Sequence, residues 1–201
     1  MPDSTRDAER SRTAKVALRS RLITARRSLP EAVRRAADAS VQDATITWVR
    51  ARQPTVCAAY APVGREPGGA DLPVRLAELC PVLLPVLLPD GDLDWAEFDG
   101  TTTRTPRGLF EPPGRRWGPE AIADVPVIIV PALAVSRTGV RMGRGGGSYD
   151  RALARAGHAF SVALLHDGEL LDDVPAEPHD QRVRAAVTPT GGFSEFSGWT
   201  K

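Results

Sequence analysis

A loop rich in glycine and arginine, "RMGRGGGSYD", occupies residues 141–150. Because glycine has no side chain, successive backbone N–H groups can converge on an anion, and the start of a following helix adds the positive end of its dipole. Arg141 and Arg144 add guanidinium groups, which suit phosphate oxygens. The loop lacks GxxxxGK[ST], and Ser148 interrupts a GxGxxG spacing. We predict a phosphate site here, in preference to a tight turn that only needs positive φ angles.

Three basic residues fall together on the predicted first helix. A helix is predicted over residues 13–28, and Pro30 is expected to close it. Its apolar stripe consists of Leu18, Leu22, Ala25 and Leu29. At about 100° per residue, Lys15, Arg19 and Arg26 lie on the shoulder of that stripe, between core and solvent. Such residues could also serve only to solvate the helix, so both interpretations stay open from the residues alone.

The rest of the chain alternates between helical and strand patterns. A second helix is predicted over residues 31–51, a short one around Leu72, Leu76 and Leu79, and another from residue 150. Strands are predicted at 55–62, 82–88, 93–98, 125–131, 160–165 and 182–189. The continuous apolar strand "VPVIIVP" is typical of a sheet covered on both faces. The fold class predicted is α/β, a three-layer α/β/α domain with a largely parallel sheet.

Length and charge limit the organisation and the partners. The chain has 201 residues, 42% of them hydrophobic, which predicts one domain over residues 13–190, a flexible N-terminus over 1–12 and a tail over 191–201. The chain contains 26 basic and 25 acidic residues, so its net charge is only +1. A nucleic acid or an anionic membrane is therefore not expected as a partner. We expect a monomer.

Neither the cysteines nor the apolar segments indicate a secreted or membrane protein. Cys57 and Cys80 form no CxxC pair and are expected to be buried small hydrophobes. The first dozen residues lack the apolar core of a secretory signal, and prolines interrupt the longest apolar run. We therefore expect a soluble, cytoplasmic protein. The loops at 62–71 and 99–120 are too long for bare connections, so they are expected to be functional or mobile.

Several segments together resemble one enzyme family. "VPALAVSRTGVRMGRGGGSYDRAL" (130–153) resembles the signature of 5-formyltetrahydrofolate cyclo-ligases, also called 5,10-methenyltetrahydrofolate synthetases, with its Arg-x-Gly-Arg-Gly-x-Gly-Tyr-Tyr-Asp loop. Four further segments resemble the family in the family's order: "KVALR" (15–19), "YAPVGRE" (60–66), "GLFEP" (108–112) and "VPAEPHDQRVRAAVTP" (174–189). The resemblance covers residues 13 to 189.

The resemblance implies a NagB/RpiA/CoA-transferase-like fold and an ATP- and magnesium-dependent ring closure. The substrate implied is 5-formyltetrahydrofolate, as monoglutamate or polyglutamate, and the products are 5,10-methenyltetrahydrofolate, ADP and phosphate. Phosphorylation of the formyl oxygen makes it a good leaving group, and attack by N10 then closes the ring. Such chemistry needs placement and charge neutralisation but no covalent nucleophile.

The resemblance also assigns roles to individual residues. Lys15 and Arg144 would be catalytic, and Asp150 and Asp180 would hold magnesium, a hard cation that prefers oxygen ligands. The folate would meet Tyr60, Glu66 and Ser148. The residues that would bind ATP are Lys15, Arg19, Arg141, Gly143, Arg144, Gly145, Gly146, Gly147 and Tyr149.

The sequence departs from the family at two places, which keeps other functions open. Ser148 replaces the first of two tyrosines, and Glu66-Pro67-Gly68-Gly69 replaces Glu-x-x-Thr. One alternative is a folate- or nucleotide-binding relative with reduced or lost turnover because of Ser148. Another is an enzyme that uses the loop for a sugar phosphate or a coenzyme A ester. Without the resemblance, Asp150 could be a first-turn acid of a helix and Asp180 a turn residue.

Overall fold

The structure, a computed structural model, describes residues 4–197, and their side chains from residue 9 onward. Its helices are α1 (Ser4–Ser28), α2 (Glu31–Arg52), α3 (Leu72–Ala77) and α4 (Ser148–Arg155), with a 3₁₀ helix at Pro119–Asp124. Its strands are β1 (Cys57–Ala58), β2 (Val82–Leu87), β3 (Leu93–Glu97), β4 (Thr103–Arg104), β5 (Phe110–Glu111), β6 (Val127–Pro131), β7 (Ala134–Ser136), β8 (Arg141–Met142), β9 (Phe160–Leu164), β10 (Leu170–Leu171), β11 (Ala185–Thr188) and β12 (Gly192–Glu195).

The main sheet has seven strands in the order β12-β11-β9-β6-β1-β2-β3. The five inner strands are parallel, and each edge strand, β3 or β12, pairs antiparallel with its neighbour. From β1 the chain first builds outward through β2 and β3, then crosses to β6 and builds the other way. The strand order therefore reverses between β1 and β6, where open α/β sheets form a crevice outside the carboxyl ends of their strands.

Helices cover both faces of this sheet, which gives three layers. Val41 and Val49 of α2 and Leu72 and Leu76 of α3 pack against one face. Ala152 and Leu153 of α4, with Ile122 of the 3₁₀ helix, pack against the other. The two clusters use alternate residues of the same strands, as the pleat of a doubly covered sheet requires.

A smaller sheet, in the order β10-β7-β8, carries α1. Leu22 of α1 is buried against Leu133, Val140 and Met142. Strand β8 therefore packs against α1 and leads directly into residues 143–147. We call residues 143–147 the glycine loop.

The α/β class and the three-layer architecture predicted from the sequence are confirmed, and both cysteines are buried and unpaired. Two boundaries differ from the prediction. Helix α1 already begins at Ser4, since "STRDAERSRT" contains no Gly or Pro and Ser11 bonds the carbonyl of Ala176. The predicted tail contains β12, because Phe193 stacks on Trp48 at 4.9 Å. Residues 198–201 of that tail lie outside the described part.

The buried face of α2 is not purely apolar. Val33 is 52% exposed, whereas Asp38 and Gln42 are buried. Both polar side chains form hydrogen bonds with the backbone of Gly68. These buried side chains therefore hold the loop at 62–71 against α2. Strand β1 is also shorter than predicted, with two residues. Within residues 4–197, no helix is both long and apolar enough to cross a membrane.

Candidate active site

A cavity of about 310 Å³ lies at the point where the strand order reverses. Its floor contains Tyr60 and Ala61, which follow β1, and Pro131 and Ala132 at the end of β6. The glycine loop forms one wall, and α1 contributes basic side chains from above. The sheet topology therefore brings together segments that are far apart in sequence.

Every site residue predicted from the sequence lines this one cavity. The set comprises Lys15, Arg19, Tyr60, Glu66, Arg141, Gly143, Arg144, Gly145, Gly146, Gly147, Ser148, Tyr149, Asp150 and Asp180. The structure thus places them side by side, while their individual roles stay predictions.

The glycine loop joins β8 to the N-terminus of α4. Gly145 and Gly147 have φ angles of +103° and +69°, values that side chains with a Cβ rarely adopt. Gly147 is the N-cap of α4, and no side chain caps the helix there. The first backbone N–H groups of α4 therefore lack a side-chain acceptor, which is the arrangement that receives an anion at a helix N-terminus.

Arginines approach this loop from two sides. Arg19 of α1 donates from Nε to the carbonyl of Gly143 at 3.0 Å, which fixes its guanidinium beside the loop. Arg144 forms an ion pair from Nε to Glu66 Oε1 at 3.1 Å, although its side chain is 61% exposed. Arg144 therefore remains accessible to a ligand, while Glu66 holds one end of its guanidinium.

The loop at 62–71 is tied to its surroundings by hydrogen bonds. The hydroxyl of Tyr60 donates to the carbonyl of Pro67 at 2.6 Å, and the N–H of Val63 donates to Glu66 Oε2 at 2.9 Å. Arg65 donates to the carbonyl of Leu29 at 2.6 Å. These bonds fix Glu66 within the cavity wall.

Lys15 is buried, contrary to the boundary position predicted for it. It is 3% exposed, and its ammonium donates to Asp180 Oδ2 at 2.5 Å and to Glu177 Oε2 at 2.8 Å. Lys15 and the more exposed Arg12 both hold the pKa of Glu177 below its usual range. Glu177 was not among the predicted site residues, although it is the acid of the "PAEPHD" segment.

Asp150 lies next to the same segment. Its Oδ1 accepts from Arg141 Nη2 at 2.7 Å and from the backbone N–H of Gln181 at 3.1 Å. Asp180 similarly uses Oδ2 for Lys15 and for the N–H of Glu177. Asp150 thus uses Oδ1 and Asp180 uses Oδ2 within the protein, while Asp180 Oδ1 lies 3.8 Å from His179 Nε2. Carboxylate oxygens chemically suit a hard cation such as magnesium, and Asp150 and Asp180 as its ligands remain a prediction.

Two tyrosine hydroxyls are buried at the cavity. Burial raises the pKa of both Tyr60 and Tyr149, so both phenols stay protonated at neutral pH. Tyr60 uses its proton for Pro67, whereas Tyr149 has no hydrogen-bond partner among the described residues. Because buried donors are normally paired, the hydroxyl of Tyr149 is available to a ligand.

Ser148 uses its hydroxyl within the protein. Its Oγ donates to the carbonyl of Gly91 at 2.6 Å, in the turn between β2 and β3. Arg155 of α4 holds Asp92 of the same turn through two bonds, at 3.0 and 2.5 Å. The residue that departs from the family pattern therefore helps fasten α4 to this turn.

The sequence did not single out the apolar side of the cavity as a site. It consists of Pro85, Leu87, Leu93, Leu109 and Phe110, all of which line the cavity. Leu109 and Phe110 belong to "GLFEP", which was recognised only as a resemblance. An apolar wall opposite a charged wall suits a ligand with an aromatic part and a phosphate part.

Arg26 occupies a different environment from that predicted on the helix shoulder. It is 5% exposed and forms a paired contact with Glu169, at 2.6 and 2.8 Å, while also donating to the carbonyl of Ala132 at 2.6 Å. Glu169 in turn accepts from the N–H of His166. This buried pair fixes the backbone that follows β6, at the floor of the cavity.

Comparison with known proteins gives matches to one enzyme family. The family model described as the 5-formyltetrahydrofolate cyclo-ligase family matches residues 11–189. A Mycolicibacterium smegmatis protein named 5-formyltetrahydrofolate cyclo-ligase is 43% identical over 188 residues, which cover 90% of this chain and 96% of that protein.

Two solved structures share the fold. The 5,10-methenyltetrahydrofolate synthetase of Aquifex aeolicus has a TM-score of 0.75 at 23% identity, covering 93% of this chain and 95% of its own. The enzyme of that name from Mycoplasma pneumoniae has a TM-score of 0.69 at 16% identity, covering 86% and 96%. With the family model spanning nearly the whole domain and a relative matched along its length, the chain belongs to the 5-formyltetrahydrofolate cyclo-ligase family.

Proposed function

We propose that this protein converts 5-formyltetrahydrofolate to 5,10-methenyltetrahydrofolate with ATP and magnesium, releasing ADP and phosphate. One observation carries the proposal: a single cavity combines a glycine loop at a helix N-terminus, five basic and three acidic side chains, and an apolar wall. A loop for a triphosphate beside an apolar wall for a pterin is what a transfer between these two substrates requires.

The reaction divides into two displacements. The formyl oxygen attacks the γ-phosphorus of ATP, and the bond from that phosphorus to ADP breaks. N10 of the folate then attacks the formyl carbon, phosphate leaves with the formyl oxygen, and N10 loses its proton. Negative charge develops on ADP in the first step and on the departing phosphate in the second, so the protein would accelerate both by placement and by fixed positive groups.

The residues suit these tasks. The backbone of the glycine loop and the guanidiniums of Arg19 and Arg144 would neutralise the phosphates, with Lys15 entering from α1. Tyr149 would donate to the substrate through its unpartnered hydroxyl. Magnesium, when bound at Asp150 and Asp180, would neutralise charge on the phosphate oxygens. Glu66 would keep Arg144 oriented towards the transferred group.

The test is a spectroscopic assay of the purified protein. With 5-formyltetrahydrofolate, ATP and magnesium, we expect the near-ultraviolet band of the methenyl product to grow, and to stay flat when ATP is omitted. A flat trace from folded protein that still binds ATP would favour the binding relative with lost turnover that Ser148 suggests. Because Ser148 already bonds Gly91, we expect it to be compatible with turnover.

The proposal includes a cytoplasmic monomer made of one catalytic domain. Sedimentation equilibrium at micromolar concentration would give the mass of a single 21.6 kDa chain. A mass near twice that value would reject the monomer without affecting the proposed reaction.

A further inference from the structure

A small hairpin borders the cavity on its apolar side. Strands β4 and β5, with the turn between them, form residues 103–111, which we call the arginine hairpin. Leu109 and Phe110 of this hairpin line the cavity, and Phe110 is 37% exposed. Arg104 is the cross-strand partner of Phe110, and its guanidinium lies near Gly108 at the turn. The hairpin therefore places a cation next to the residues that line the cavity.

The segment around the hairpin carries an excess of positive charge. Residues 99–118 contain four arginines against only Asp99 and Glu111, in a chain whose total net charge is +1. Both acids bind elsewhere: Asp99 accepts from Thr101, and Glu111 accepts from the N–H of Leu87. Among residues 9–197, whose side chains are described, none of the four arginines forms an ion pair. Their charge is therefore uncompensated locally.

Among the residues that the structure describes, those that line the cavity include none of these four arginines, which lie on two neighbouring segments beside it. Arg115 lies over the ring of Trp117, 4.4 Å from its centroid, and Arg116 follows it beside strand β3. Arg104 and Arg107 instead lie in the arginine hairpin itself, both exposed. The contact from Leu87 to Glu111 holds this hairpin against β2. Arg104 and Arg107 are thus presented on an anchored support at the cavity edge.

The chemistry of the proposed substrate matches this placement. 5-Formyltetrahydrofolate reacts at N5 and N10, near its pterin end, and carries its glutamate carboxylates at the opposite end. If the pterin end of the folate lies next to the ATP phosphates at the glycine loop, its glutamate end must point away from that loop. Guanidinium groups bind carboxylates through paired donors, and more favourably than ammonium groups where the geometry is planar.

We infer that Arg104 and Arg107 bind the glutamate carboxylates of the folate, and so make the arginine hairpin a recognition site for the acidic end of the substrate. This inference rests on the proposed function, because it takes the folate as the ligand. Additional γ-linked glutamates would add further carboxylates along the same surface.

The test compares substrates with and without the glutamate. For the Arg104→Ala/Arg107→Ala variant, we expect the KM for 5-formyltetrahydrofolate to rise about five- to tenfold, the size typical of losing two exposed charge pairs. The KM for 5-formyltetrahydropteroate, which has a single benzoate carboxylate in place of the glutamate carboxylates, should rise less, and kcat and the KM for ATP should not change. Added salt should weaken native folate binding more steeply than that of the variant.

Matched controls separate this effect from a general loss of charge or fold. Arg50→Ala removes an exposed arginine from α2 and should leave every constant unchanged. Arg104→Gln/Arg107→Gln keeps the polar length of the side chains and should reproduce the rise in KM. An unchanged KM for the folate, or an equal rise for both substrates, would overturn the inference.

Titration calorimetry without ATP gives the same comparison in the absence of turnover. If the native protein forms no methenyl product but the double variant binds 5-formyltetrahydrofolate more weakly than the native protein does, the carboxylate site stands and the proposed reaction fails. Equal dissociation constants for the two proteins would reject the carboxylate site, whatever the activity.

Discussion

At the scale of single residues, Lys15 provides the sharpest test of the nucleotide site. Lys15→Ala should raise the KM for ATP by about tenfold or more, since hydrogen bonds to charged groups contribute about 1.5–3 kcal/mol. The variant also leaves Asp180 and Glu177 facing each other without their cation. Steady-state kinetics at saturating folate would measure the effect.

Arg12 offers a matched control for Lys15. It also pairs with Glu177, at 3.2 Å, but its side chain is 74% exposed and does not line the cavity. Arg12→Ala should therefore leave the KM for ATP within about twofold, as expected of a solvent-exposed ion pair. If Lys15→Ala behaved like Arg12→Ala, Lys15 would have only a structural role.

Residue types in the site were predictable, but their partners were not. The loop "RMGRGGGSYD" predicted a phosphate site, because converging backbone N–H groups need glycines and guanidinium groups suit phosphate oxygens. Glu177 and Glu169 gave no such signal, since isolated acids in polar segments are ordinary. Their partners, Lys15 and Arg26, lie more than 140 residues away in the chain. Such pairs follow from tertiary packing, which a local pattern does not contain.

At the scale of elements, the glycine loop should be sensitive to substitution at one position and tolerant at the next. Gly145→Ala forces a Cβ into a φ of +103°, and we expect it to lower the free energy of unfolding by about 1–3 kcal/mol. Gly146 does not have a positive φ, and a Cβ there would meet only Ser148 Oγ at 3.6 Å. Gly146→Ala should leave stability unchanged.

Urea unfolding of both variants, without nucleotide, would measure this difference. Equal midpoints for Gly145→Ala and Gly146→Ala would mean that the loop relaxes freely and that its backbone conformation is not fixed in advance.

The long elements were predictable from the sequence, because a period of 3.6 and continuous apolar runs leave few alternatives. Strand β12 and the strands of the arginine hairpin were not, since each of these strands has only two to four residues.

At the scale of the whole molecule, acid should destabilise the fold through the contact between α4 and the β2–β3 turn. Hydrogen bonds from Arg155 lower the pKa of Asp92 below its ordinary value of 3.8, and Arg151 adds to the effect. The stabilisation is complete where Asp92 is ionised in both states, above about pH 4. It is lost as the pH falls from the ordinary value through the lower pKa of the folded state.

Asp92→Asn makes this expectation measurable. We expect the variant to be about 1–3 kcal/mol less stable than the native protein between pH 5 and 8, with the gap closing below about pH 4. Asp172→Asn is the control, because Asp172 is 95% exposed in its pair with Arg137. Urea titrations at several pH values would measure both. A gap that stayed constant down to pH 2 would exclude a role for the charge of Asp92.

The ion pairs of Lys15 also set an order of events during synthesis. Lys15 lies 162 and 165 residues before its partners Glu177 and Asp180. At about 5–20 residues per second, the ribosome delivers those partners roughly 10 to 30 s after it has made Lys15. Until then α1 carries a cation whose partners do not yet exist, although most of the parallel sheet has already been synthesised. The ion pairs of Lys15 can therefore form only late in synthesis, after β1, β2, β6 and β9 and shortly before β11 completes the parallel part of the sheet.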